Sequence, residues 1–151
     1  AAWADDLDNR RSTLGYVVMV HNGPVAWYCK LSITPCLSST EAEYQALSVA
    51  CQEVVWIRRL SIDMLHPPLE PTVVFEDNAG ALLLARNPVF HARTKHIDIR
   101  HHFVRFCMKE GYCTPTAVPT ASQLADVLTK GVPAPLFRRL MPVLMGSHST
   151  L

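Results

Sequence analysis

The sequence predicts a single α/β domain, and three observations carry that prediction. Two β-branched and aromatic runs, Gly15 to His21 and Val25 to Leu31, flank Asn22-Gly23-Pro24 and read as a hairpin. A long stretch with helical periodicity follows. Thr72-Val-Val-Phe-Glu76 then passes directly into Asp77-Asn78 and a second helical stretch, the strand-to-helix switch of α/β folds. A chain of 151 residues that is 49% hydrophobic and 18% charged buries one core and is too short for two ordinary domains.

Each element has its own signal. Leu47, Ala50, Val54, Ile57 and Met64 recur at helical spacing from Ser38 until His66-Pro67-Pro68 stops the helix. Ser38-Ser39-Thr40-Glu41 predicts a capping box, with the Ser38 hydroxyl on the first turn and Glu41 reaching back. Ala79 to Arg86 reads as a helix ended before Asn87-Pro88, and Asp98 to Glu110 as another, closed by Gly111. A strand at Thr114 to Val118, a helix from Ser122 to Thr129 and a last helix at Pro133 to Met145 complete the order. Residues 1–146 are expected to form the domain and 147–151 a C-terminal tail.

The net charge of +1 excludes a bulk electrostatic pull on nucleic acid or an acidic membrane, so a polyanion must meet local patches. Arg93, Lys95, Arg100, Arg105 and three histidines against Asp98 alone make the strongest one. Five cysteines without a Cys-x-x-Cys pair suggest reduced thiols in an intracellular protein rather than a disulfide framework or a zinc ribbon. No apolar run approaches the ~18 residues of a membrane helix. The acidic start from Ala1 to Asp8 is no signal peptide, and the absence of an initiating Met predicts a piece of something longer. Trp3, Trp27 and Trp56 could stack on bases, but Trp27 in a strand and Trp56 in the long helix are expected in the core. Cys29, Cys107 and Cys113 read as packing groups. His91, His96, His101 and His102 fit no familiar zinc spacing.

Three acids stand out. Asp77 follows an apolar strand, where α/β sheets present ligands, although a helix cap explains it equally well. Glu43 lies at the start of the long helix and is left over once Glu41 serves the cap; its plain alternative is a favourable interaction with the helix N-terminus. Asp126 interrupts Leu124-Ala125-Asp126-Val127-Leu128, where a buried unpaired carboxylate is costly. An i,i+4 pair with Lys130 is the structural alternative.

Several strings in this order resemble the RNase H domain of copia-type retrotransposon Pol polyproteins. They are Arg10-Arg11-Ser12-Thr13-Leu14-Gly15-Tyr16, Ser38-Ser39-Thr40-Glu41-Ala42-Glu43-Tyr44-Gln45-Ala46-Leu47, Glu76-Asp77-Asn78, Asn87-Pro88-Val89-Phe90-His91, Arg93-Thr94-Lys95-His96-Ile97-Asp98-Ile99-Arg100 and Gln123-Leu124-Ala125-Asp126-Val127-Leu128-Thr129-Lys130. The resemblance covers nearly the whole chain. It implies an RNase H-like fold, a five-stranded mixed sheet flanked by helices, and hydrolysis of the RNA strand of RNA/DNA hybrids. It also implies Glu43, Asp77 and Asp126 as catalytic ligands of two Mg²⁺ ions, with Mn²⁺ as the alternative, and a reverse transcriptase domain upstream. Asn78, Arg93, Lys95, His96 and Arg100 become candidate contacts to the nucleic acid.

The chain departs from the pattern at its start. In the family the first metal ligand is an Asp on the first, central strand; matching Trp3 places that Asp just before Ala1, with the strand upstream. Asp5, Asp6 and Asp8 are nearby substitutes, though a solvated loop with Arg10 and Arg11 is the simpler expectation. The stretch Val118 to Ser122 holds no histidine to shuttle protons. Two functions follow: a Mg²⁺-dependent endoribonuclease domain, or a catalytically inactive transposon-derived remnant with at most nucleic-acid binding.

Overall fold

Sequence periodicity becomes layers in the computed structural model, which describes residues 1–87 and 95–147, for 95–98 and 101 the backbone only. The order is β1 (Thr13–Val20), β2 (Gly23–Leu31), α1 (Ser39–Asp63), β3 (Thr72–Glu76), α2 (Ala79–Arg86), α3 (Lys95–Lys109), β4 (Cys113–Ala117), α4 (Asp126–Thr129) and α5 (Ala134–Leu144). Among the described residues no helix is long and apolar enough to cross a membrane. The tail residues 148–151 lie outside the described residues.

β1 and β2 pair antiparallel, Val20 opposite Gly23, so the turn is His21-Asn22 and not Asn22-Gly23-Pro24. Both turn residues have positive φ, 47° and 64°, which matches the right-handed twist of a two-residue hairpin. Pro24 is accommodated where the register shifts at a bulge between Val18 and Met19.

α1 is the platform for everything else. Its Tyr44, Leu47, Cys51 and Val54 pack with Ala81 and Ala85 of α2, Val104 and Cys107 of α3 and Cys113 of β4. Ala42 and Ala46 meet Leu14 and Cys36 beneath the hairpin. Two expected core residues are exposed instead: Trp27 at 67% and Trp56 at 58%. Trp27 shares the outer face of β2 with Val25, because alternate residues change sides. Trp56 sits two residues past Val54, about 200° around the helix and off the buried stripe. All five cysteines are free; Cys107 and Cys113 are buried as expected, while Cys29 is exposed and its thiol meets the Leu128 carbonyl at 2.8 Å.

The Ser38 hydroxyl accepts the Glu41 amide at 3.1 Å, but the Glu41 carboxylate accepts from Leu37 N at 2.7 Å and not from Ser38. Half of the predicted capping box therefore holds, and the other half moves one residue outward. Ser38→Ala should lower stability by ~1 kcal/mol, read as a smaller urea midpoint at unchanged slope.

The resemblance implies five strands; the described residues hold four, in two pairs. β3 and β4 run parallel, with Thr72 opposite Cys113 and Glu76 opposite Ala117. β1 of one pair and β3 of the other face each other across α1, separated by a cleft of about 510 Å³. On the cleft side, β1 carries a single antiparallel bridge, Ala2 to Thr13.

Candidate metal centre

The acids converge where α1, β3 and α2 begin or end. Asn78, not Asp77, caps α2: its side-chain oxygen accepts the Ala81 amide at 2.9 Å. That overturns the capping explanation of Asp77 and leaves its carboxylate free of a structural role at the helix start. The Thr40 hydroxyl lies 3.4 Å from the same Asn78 oxygen, so the N-terminal turns of α1 and α2 touch. This contact brings Glu43 to the end of β3.

Carboxylate oxygens of Glu43, Glu76 and Asp77 lie within 4.8 Å of one another. Glu76 is not among the acids that stand out in the sequence, where it is the last residue of a strand and the first of the Glu76-Asp77-Asn78 string. Its signal was parity, since Val74 and Glu76 share one face of β3. Glu76 is 5% exposed, and its carboxylate accepts the Asn78 amide at 2.9 Å. Burial pushes its pKa up to about 7, opposed by that amide and reinforced by the charges of Glu43 and Asp77. Glu43 is also raised, chiefly by burial, with Asp77 and Asp126 adding to the rise.

Two carboxylates this close repel by roughly 3–4 kcal/mol at an effective dielectric constant of 20. A proton on Glu76 relieves part of that repulsion. A cation relieves more. Oxygen-only donors gathered this closely suit a hard divalent ion such as Mg²⁺ or Mn²⁺.

Asp126 behaves differently from the other two sequence candidates. It is 2% exposed and lines the same cleft, and its charge reaches Glu43, yet it lies outside the three-acid cluster. The i,i+4 partner Lys130 holds it at 2.8 Å, the structural alternative of the sequence reading. Burial pulls the Lys130 ammonium down, and the hydrogen bond and charge of Asp126 outweigh it, for a net rise. The expected helix from Ser122 to Thr129 is also corrected. A 3₁₀ turn, Thr120–Ser122, is followed by extended Gln123, whose side-chain amide donates to the Phe75 carbonyl at 3.1 Å. That tether to β3 ends the turn and makes Asp126 the first residue of α4.

Asp5, Asp6 and Asp8 do not join the cluster. Asp5 accepts the Thr13 amide at 3.0 Å and its hydroxyl at 2.8 Å, and Asp6 accepts the Asp8 amide at 3.1 Å. Among the candidate nucleic-acid contacts, Arg93 lies outside the described residues, and Lys95 and His96 are described by their backbone, in the first turn of α3. Arg100 is half-buried in α3, and its charge acts on the Cys36 thiol. Arg105 donates to the carbonyls of Leu84 and Asn87, which makes it a brace for the end of α2 rather than a free cation. Asn78 is already engaged as the α2 cap. Of the four histidines, His91 and the side chains of His96 and His101 lie outside the described residues, and the metal-capable cluster among the described residues is carboxylate throughout.

Comparison with known proteins agrees with this architecture. Residues 4–60 match the model of the reverse transcriptase-like family. The chain is 42% identical over 134 residues, 86% of its length, to the Retrovirus-related Pol polyprotein from transposon RE2 of Arabidopsis thaliana. It is 38% identical over 150 residues, 99% of its length, to the corresponding polyprotein from transposon TNT 1-94 of Nicotiana tabacum. The chain spans 9% and 11% of those relatives, respectively, about a tenth of their length. No solved structure matches it. Fold and family match together define the class, an RNase H-like α/β domain. The chain belongs with the RNase H-like domains of retrotransposon Pol polyproteins.

Proposed function

We propose that this domain hydrolyses the RNA strand of RNA/DNA hybrids with Mg²⁺, inside the cell, as the copia-type RNase H segment of a Pol polyprotein whose reverse transcriptase lies upstream. The observation that carries this reading is the convergence of Glu43, Glu76 and Asp77 within 4.8 Å at the end of β3, with Asp126 on the same cleft. Glu43, Asp77 and Asp126 are the catalytic ligands, and Glu76 adds a fourth carboxylate from this chain's own sequence. Bound there, two Mg²⁺ or Mn²⁺ ions would supply Lewis acidity to the attacking water and the departing 3′ oxygen. Glu43 and Asp77 hold the oxygen cage open through the α1–α2 contact. Lys130 holds the Asp126 carboxylate in place at the cleft wall through their 2.8 Å ion pair. Asn78, Arg93, Lys95, His96 and Arg100 meet the hybrid, with RNA told from DNA through its 2′-hydroxyls.

A second reading has its own observation. Asp126 is paired with Lys130 at 2.8 Å, so an internal cation already neutralises one of the acids, as in an inactive remnant. The deciding experiment extends the chain upstream by ~15 residues, one strand and its turn, and follows cleavage of a labelled RNA/DNA hybrid with Mg²⁺, with Mn²⁺ and with EDTA. Metal-dependent cleavage of the RNA strand supports the enzyme; none under any condition leaves the remnant. The 151-residue chain alone should show little activity, because the resemblance puts one ligand ahead of Ala1.

Glu76 gives a separate check. Glu76→Gln keeps an acceptor for the Asn78 amide, so stability should hold, while Mg²⁺ affinity measured by calorimetry should fall about 10–100-fold. Unchanged affinity would assign Glu76 to the α2 cap alone.

A further inference from the structure

Three of the five free cysteines meet inside the core. Cys51 of α1, Cys107 of α3 and Cys113 of β4 are each at most 2% exposed. They belong to the core where α1 packs on α2, α3 and β4, not to the one beneath the hairpin, and none of them lines the cleft or joins the acidic cluster. The sulfurs of Cys51 and Cys113 lie 3.5 Å apart, although the residues are separated by 62 positions in the chain. Packing asks only for small apolar groups at these points. Two thiols in contact add a chemistry that Ala or Val lacks, because together they can give up two electrons. Of the pair, Cys113 is the better nucleophile. Its hydrogen bond with Cys51 pulls its pKa down, burial opposes the fall, and the charge of Arg58 adds to it. Cys107 is lowered by the same partner but without the help of Arg58. Cys51 itself is pushed up, by its hydrogen bonds with Cys107 and Cys113 and then by burial, so it keeps its proton while Cys113 supplies the thiolate.

We propose that Cys51 and Cys113 form an oxidisable dithiol, which a peroxide converts to a disulfide that staples α1 to β4. The Cys113 thiolate attacks one peroxide oxygen, the O–O bond breaks, and the departing hydroxide takes a proton and leaves as water. Cys113 then carries a sulfenic acid. The Cys51 sulfur attacks the Cys113 sulfur, its proton passes to the departing hydroxide, and a second water leaves as the S–S bond forms. Two thiols are oxidised and one peroxide is reduced. Cys113 is the first residue of β4 and follows the Gly111 turn closely, so local opening at that strand start admits a small oxidant to a pair otherwise closed to solvent. The loop closed by the bond holds β3, α2 and α3, and with them Glu76 and Asp77, while Glu43 stays on the α1 side. Oxidation therefore ties together the two elements whose packing frames the acids, and it restricts the unfolded chain over a long loop.

The test uses the upstream-extended polypeptide carrying Cys29→Ser, which removes the exposed thiol. It is treated with hydrogen peroxide, quenched with catalase, alkylated in denaturant and mapped by mass spectrometry without reductant. The expected product is a cross-link between Cys51 and Cys113 within one chain, with a urea midpoint raised by about 1 M and returned to its starting value by dithiothreitol. Cys107→Ala should keep both the cross-link and the midpoint shift, and Cys113→Ala should lose both. Each variant is compared with its own reduced form, so a loss of stability from the substitution itself does not enter the readout. Recovery of Cys51 and Cys113 as alkylated thiols, a cross-link from Cys51 to Cys107 in place of Cys113, or a Cys51–Cys113 cross-link that leaves the midpoint unchanged or lower overturns the proposal.

Discussion

Asp77→Asn in the upstream-extended polypeptide lowers Mg²⁺-dependent cleavage by about 10²–10³-fold while leaving the fold intact, the range expected when one group that stabilises transition-state charge is removed. The substitution is nearly isosteric and exchanges a carboxylate for an amide. Asp77 does not cap α2; Asn78 does, through its 2.9 Å bond to the Ala81 amide. Removing the Asp77 charge therefore leaves the helix start alone and acts on the acidic cluster. Single-turnover cleavage of a labelled hybrid measures the effect, and far-UV circular dichroism with a urea titration checks the fold. Loss of activity with unchanged stability assigns Asp77 to the chemistry. Intact cleavage would remove it from the site, and with it the central argument for nuclease function.

Gly80→Val should both destabilise the domain and pull the site apart. A Cβ on Gly80 would lie 2.8 Å from Thr40 Oγ1, 2.9 Å from Thr40 Cγ2 and 3.0 Å from Asn78 Oδ1. Thr40 and Asn78 belong to the first turn of α1 and the cap of α2, so neither moves without shifting a helix end. In a free helix, replacing Gly by Ala gains up to ~1 kcal/mol. Here overpacking reverses the sign: Gly80→Ala should cost ~1–3 kcal/mol and Gly80→Val about 3 kcal/mol or more. Urea denaturation reads the stability, and Mg²⁺ titration reads the separation of Glu43 from Asp77. Thr40→Ala removes two of the three colliding atoms, so it should restore part of the stability lost in Gly80→Ala, as a double-mutant cycle. Additive losses would show that the α1–α2 contact is not what holds these helix ends together.

Much of the fold was legible because local chemistry is strong there. The β-branched runs around a turn, the Ser38 cap and the strand-to-helix passage at Asp77 each depend on residues within a few positions of one another. The turn was misplaced by one residue because the sequence shows Gly23 and Pro24 as turn formers, while the pairing of Val20 with Gly23 puts the positive φ values at His21 and Asn22. The tryptophans were misassigned because periodicity marks a stripe, and being hydrophobic does not put a residue on it. The helix at Ser122 failed for a non-local reason: Gln123 bonds to Phe75, 48 residues away.

The sequence by itself determined the class of the domain and most of the order of its elements, and it marked Glu43 and Asp77 as candidate acids, because capping, periodicity and the long matching strings are written in consecutive residues. Tertiary structure decided the rest. Only packing of the first turns of α1 and α2 could show that Glu76 joins Glu43 and Asp77, and that Asn78 rather than Asp77 caps the helix. Whether Asp126 stands with the cluster or with Lys130 depends on distances across the cleft, and charges that share a site in space carry no mark of it along the chain.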